Sequence, residues 1–198
     1  MINFFLKNKI IKKTKKDMKP HIKDFFNFLE NKENKPIPLR AKLLNPDDFE
    51  ISPEDLKVKG DLDLPKTPIE QLPDNLKVEG DLDISYTPIK QLPNNLQVGG
   101  NLWLKDTDIT QLPNGFKVGE SLILVKTFIQ ELPDNLQVGG SLHLSGTQIK
   151  QLPNNLQVGG DLWLVDTPIS NSKTMSKEQI RQEIEDKGGY VGRQIFLN

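Results

Sequence analysis

The sequence predicts a β-rich solenoid: six stacked coils of twenty residues, a helical N-terminal segment before them and a C-terminal helix-plus-strand cap behind. Three observations carry this expectation. The chain reads in register with a period of twenty from residue 51 to residue 170, without an insertion. The same positions of each copy, the second, sixth, eighth, twelfth, fourteenth and nineteenth, are apolar, as in Leu132, Leu136, Val138, Leu142, Leu144 and Ile149, with Ser52 of the first copy the main exception. Only 35% of the 198 residues are apolar, thin for a compact globule. Units this short cannot bury their own apolar residues, so neighbouring copies must share one interior.

The N-terminal part, residues 1–50, differs in charge from the rest. Up to Lys42 it carries twelve Lys or Arg against four acids, a net +8, whereas the remainder holds fourteen against twenty-three, a net −9, which together give the overall −1. Ile22, Phe25, Phe26 and Leu29 form an apolar stripe that predicts a helix over 21–32. Pro20 separates it from a more basic stretch, where Lys7, Lys9, Lys12, Lys13, Lys15, Lys16 and Lys19 make an arm suited to an anionic partner, whether an acidic protein, nucleic acid or a membrane surface. A capping helix with a solvated lysine face is the plainer reading of the same residues.

Within each copy of 51–170, the alternation Leu142, His143, Leu144 predicts a short strand with its two leucines inward. The run Gln151 to Asn155, with Leu-Pro and a paired Asn, is turn chemistry. Each copy therefore reads as strand, turn, straight segment, turn. In the cap, 171–198, Ser176 and Gln179 form a capping-box signature, Ile180 and Ile184 share a face, and Gly188-Gly189 stops the helix, which predicts a helix over 176–187. Residues 191–197 align with Val158 to Leu164 as half a seventh repeat, giving a closing strand.

The pattern LxLxxTxIxxLPxxLxV resembles the leucine-rich repeat family, in particular its short LPxxL type from bacterial and phage proteins. The resemblance covers about 120 of the 198 residues. It departs from the family at Thr67, Thr87, Thr107, Thr127, Thr147 and Thr167, where the family usually has an Asn that bonds the backbone of the next coil. A hydroxyl has one donor where the amide has two. A right-handed parallel β-helix of similar coil length is the alternative architecture.

Inward twelfth and fourteenth positions force the thirteenth outward. That column reads Asp63, Asp83, Trp103, Ile123, His143, Trp163, and the next outward column includes Lys105, Val125 and Val165. Large apolar side chains without an interior to fill mark a contact surface, although they can also brace neighbouring strands. Asp63 and Asp83 should stack one coil apart, flanked by Asp61 and Asp81, and this concentration of like charge suits a basic partner.

The function these features predict is non-enzymatic binding of a protein partner through the exposed strand face, with a structural role in a larger assembly such as a phage or virus particle as the alternative. The chain has no cysteine and only two histidines, His21 and His143, so thiolate chemistry is excluded and a metal site or other cofactor is not expected. The apolar run Ile2 to Leu6 is too short for a signal-peptide core, and no run reaches the roughly 18 residues of a membrane span. A cytoplasmic location, or incorporation in a virion, is the corresponding expectation.

Overall fold

A computed structural model describes residues 37–171 and 175–198. The chain divides into two units, Met1–Ile51 and Ser52–Asn198. The helix expected over 21–32 and the basic arm from Lys7 to Lys19 lie outside the described residues. In the first unit the described chain forms α1 (Leu39–Leu44), entered from Pro38, with Leu39 buried. Asn45 ends it, its side-chain amide donating to the Ala41 carbonyl at 2.9 Å.

The second unit is a parallel β-solenoid. Each coil contributes two strands of two residues. One sheet joins Lys57–Val58, Lys77–Val78, Gln97–Val98, Lys117–Val118, Gln137–Val138, Gln157–Val158 and Tyr190–Val191. The other joins Leu62–Asp63, Leu82–Asp83, Leu102–Trp103, Leu122–Ile123, Leu142–His143, Leu162–Trp163 and Ile195–Phe196. We call these the first and second sheets. Register partners in the repeats are twenty residues apart, as in Leu142 with Leu122 and Leu162, so the sequence period is the climb of one coil. The straight segment expected in each copy is thus itself a strand. Its two residues are too few to show a period, and only pairing with the coils above and below makes it one.

The interior is built from the six apolar columns. Leu82, Leu102, Leu122, Leu142 and Leu162 are fully buried, as are Leu64, Leu104, Leu124, Leu144 and Leu164 one step along. The coil turns at two left-handed corners, one at the fifth position (φ 62° at Asn75, 58° at Asn95, 61° at Asn135) and one at the sixteenth (φ 57° at Lys66, 52° at Asp106, 58° at Asp166). Asn and Asp tolerate this conformation better than most residues, which explains the paired Asn of the turn. The threonine hydroxyls do not reach the next coil. Each donates to a carbonyl three residues back in its own coil, Thr107 to Leu104 at 2.8 Å and Thr147 to Leu144 at 2.6 Å, and so clips the corner, with the Thr buried in every coil but the first, where Thr67 is half-buried.

Coils are also joined by side chains. At the eleventh position, Asp61 accepts the backbone N–H of Asp81 (2.8 Å), Asp81 that of Asn101 (2.7 Å), Asn101 that of Ser121 (3.0 Å), Ser121 that of Ser141 (3.0 Å), and Ser141 that of Asp161 (3.0 Å). A buried or half-buried N–H needs an acceptor, and any oxygen-bearing side chain of this length serves. Asp61 and Asp81 therefore stack because each carboxylate holds a backbone donor, not to gather charge. At the asparagine corner, Asn94 donates its backbone N–H and its side-chain amide to the two oxygens of Asp74, and Asn154 does the same to Asp134. These bonds, the side-chain one foremost, hold both carboxyls below the ordinary aspartate range. The neighbouring pairs Asn75–Asn95 and Asn135–Asn155 join amide to amide at 3.0 Å. Gly115 has no side chain to continue that row, and there the first sheet pairs only Val98 with Val118.

The cap differs from expectation in one respect. Ser176 caps the helix that follows it in the expected box, accepting the Gln179 N–H at 3.3 Å and donating its own N–H to the Gln179 side chain at 2.7 Å. A short helix α2 (Pro168–Asn171) precedes it, and α3 spans Lys177–Asp186 with Ile180 and Ile184 buried. Beyond Gly188, left-handed at φ 78°, the chain forms not one closing strand over 191–197 but two, Tyr190–Val191 and Ile195–Phe196. The seventh half-coil extends both sheets because every coil feeds both.

Candidate binding face

The outward column lies on the second sheet in the expected order. Asp63 is in register with Asp83, Asp83 with Trp103, Trp103 with Ile123, Ile123 with His143, and His143 with Trp163. Phe196 of the cap continues the row beyond Trp163. The row thus has an acidic end over the first two coils and an apolar remainder.

The apolar part is braced internally. The His143 and Trp163 rings stack with centroids 5.4 Å apart and planes 9° from parallel, and Trp163 stacks on Phe196 at 3.9 Å and 11°. Ring faces are consumed by neighbours, so this stretch offers mainly ring edges to a ligand. Such pairs contribute about 0.5–1.5 kcal/mol beyond burial. Ile123 is not exposed. At 7% accessibility it belongs to the buried residues, because it is shorter than the Trp103 and His143 side chains on either side of it in register. Trp103 stands apart at 42% exposed, with a shorter neighbour, Asp83 or Ile123, on each side.

In the next column Lys105, Val125 and Val165 are half-buried. Lys105 belongs to a small cluster that sequence reasoning did not find. The Tyr86 ring, 44% exposed, has the ammonium groups of Lys66 and Lys105 each 5.5 Å from its centroid. The hydrogen bond to Tyr86 raises the Lys105 pKa above the usual lysine value. Tyr86 sits at the sixteenth position, a left-handed corner (φ 60°) held elsewhere by Lys, Asp or Gly, so no periodic signal marks it. Phe196 did leave a signal, since it aligns with Trp163 in the half-repeat. Asp83 accepts the Ser85 backbone N–H at 2.8 Å.

Burial beside Trp163 lowers the His143 pKa, and the Asp161 carboxylate opposes this only in part. A folded-state pKa below the unfolded value of about 6.5 means that the unfolded chain binds the proton more readily. The stabilisation is fully present above that value and is lost as pH falls through it towards the folded pKa. The expected result is an NMR titration midpoint for His143 below 6.5, and a melting temperature that falls between pH 7 and pH 5 less steeply in His143→Asn than in the wild type. A midpoint above 6.5 would contradict the placement of the ring in the stack.

Across the solenoid, a groove of about 880 Å³ follows the outer side of the first sheet, lined among others by Lys77, Gln97, Lys117, Gln137, Gln157 and Tyr190. Among the described residues no group of three or more His, Asp or Glu side chains is placed to hold a metal ion, and no helix is long and apolar enough to cross a membrane.

The stacked coils and the two parallel sheets define a solenoid repeat protein. No protein-family model, curated protein or solved structure matches the chain.

Proposed function

We propose that this chain is a non-enzymatic binding module, leucine-rich-repeat-like in its LxL strand and LPxxL turn, that recognises a protein partner through the outer face of the second sheet. The observation that carries the reading is Trp103, a large aromatic ring left 42% exposed at the junction of an acidic and an apolar stretch of one column. Trp is among the residues that dominate interface energetics. Asp63 and Asp83 beside it supply charge that would steer a basic region of the partner into register. Trp163, roughly 14 Å away by three strand spacings, is half-buried in the ring stack and fixes the rigid side of the face.

The test compares wild type and Trp103→Ala as baits for partners in the native source, with melting curves of both. The expected outcome is loss of a captured protein at unchanged stability, and with that protein in hand a binding loss of about 2 kcal/mol or more. Unchanged capture by Trp103→Ala would reject this face as the recognition surface.

A further inference from the structure

The fourth and fifth positions form the asparagine corner. The pair there is Asp74-Asn75, Asn94-Asn95, Asp134-Asn135 and Asn154-Asn155 in four coils but Asn114-Gly115 in another, the sole Asn-Gly step among the 198 residues. The side chains of Asp74 and Asn94, and of Asp134 and Asn154, hold one another across coils. Asn114 stands between these two pairs without such a partner: its carboxamide enters no hydrogen bond among the described residues and is exposed. It borders two open grooves, of about 880 Å³ and about 600 Å³. Gly115 is as little protected. It lies at φ 64°, and nothing stands within 4 Å of where a Cβ would be. Its N–H reaches the Asp134 carbonyl at 3.2 Å, where Asn75, Asn135 and Asn155 hold the equivalent bond at 2.8, 3.0 and 2.9 Å. The longest bond of the set is the weakest, so this amide nitrogen is the most easily freed.

The amide carbon of an asparagine is an electrophile one ring closure away from the next backbone nitrogen, and a glycine at that nitrogen has no side chain to obstruct the approach. We propose that Asn114 is a site of spontaneous covalent modification, in which the Gly115 nitrogen closes on the Asn114 side chain and converts it to aspartate and isoaspartate. The nitrogen gives its proton to solvent base and bonds to Cγ; the Cγ–Nδ2 bond breaks, and Nδ2 takes up a proton and leaves as ammonia. Water from the grooves then opens the five-membered imide. Attack at Cγ releases the nitrogen there and leaves aspartate; attack at the backbone carbonyl leaves isoaspartate, with the chain running through Cγ. Water enters, ammonia leaves, and nothing is oxidised or reduced. Either product places a new carboxylate one coil before Asp134, whose own oxygens are already engaged by Asn154, and like charges so placed repel. Isoaspartate also lengthens the corner by one backbone atom and draws the Gly115 N–H away from Asp134. In this coil the first sheet pairs only Val98 with Val118 on the preceding side, so the loss falls where there is little pairing to spare.

The experiment incubates the natively folded full chain in mildly alkaline buffer beside a free peptide of residues 111–118. Peptide mass spectrometry reads the exchange of amide for acid, and isoaspartyl methyltransferase labelling reads isoaspartate. The comparison is made when half of the free peptide has converted. The expected result is conversion of Asn114 in the folded chain to at least a third of that extent, with Asn94 and Asn154 still amides and with no conversion in Gly115→Asn. Asn fits the left-handed corner, as Asn75 and Asn95 show, so that variant should fold. Less conversion in the wild type would overturn the proposal, because the fold would then protect the site; so would equal conversion in Gly115→Asn. Separating modified from unmodified chains by charge isolates the consequence. The modified fraction should melt at a lower temperature, and equal melting would overturn the loosening of the corner.

Discussion

Leu142→Ala is expected to lower the free energy of unfolding by about 2–5 kcal/mol, as truncation of buried leucines does elsewhere. Leu142 is fully buried and stands between Leu122 and Leu162 in the same column. The missing atoms leave a void against two coils at once, and a coil tied by backbone bonds on both sides cannot collapse to fill it. Gln137→Ala, on the outward side of the first sheet in the same coil, is expected to change stability by less than about 0.5 kcal/mol, the usual range for surface positions. Chemical denaturation of the two variants checks the contrast. Equal losses would mean that the inward and outward sides are assigned wrongly.

Adding volume between coils should be nearly as damaging. A Cβ built on Gly119 would lie 1.9 Å from the Gly99 carbonyl oxygen, and one on Gly139 would lie 2.0 Å from that of Gly119. These are backbone atoms of the adjacent coil, so no side chain can swing aside. The expected cost of Gly119→Ala is about 1–3 kcal/mol, typical of overpacking. The second coil has Glu79 at this position above Lys59, its N–H 2.9 Å from the Val58 carbonyl, so a Cβ is accepted there without a longer inter-coil bond. The cost at Gly119 is therefore that of readjusting a backbone already closed upon glycine. A Gly119→Ala variant with unchanged melting temperature would show that the coils can separate freely.

Much of this architecture was legible in the residues because it is either local or periodic. The period of twenty fixed the coil, since a solenoid repeats its backbone path at each climb and only residues returning at that interval can form inward columns. Leu142 and Leu144 could be read inward from alternation alone, and the capping box at Ser176 and Gln179 from a spacing within one turn of helix. The order of the candidate column from Asp63 to Trp163 followed from the same register.

What only the tertiary structure decided depends on the distance between coils. The strand at Gln137–Val138 exists through pairing with its neighbours, not through any preference of two residues. Asp61 and Asp81 read in sequence as an acidic cluster and became acceptors of backbone N–H groups once the coils were stacked. The burial of Ile123 and the exposure of Trp103 were set by the sizes of the side chains one coil away. Sequence by itself determined which residues recur and hence which face inward; contact between successive coils, at strand spacing, determined which of the outward ones remain exposed.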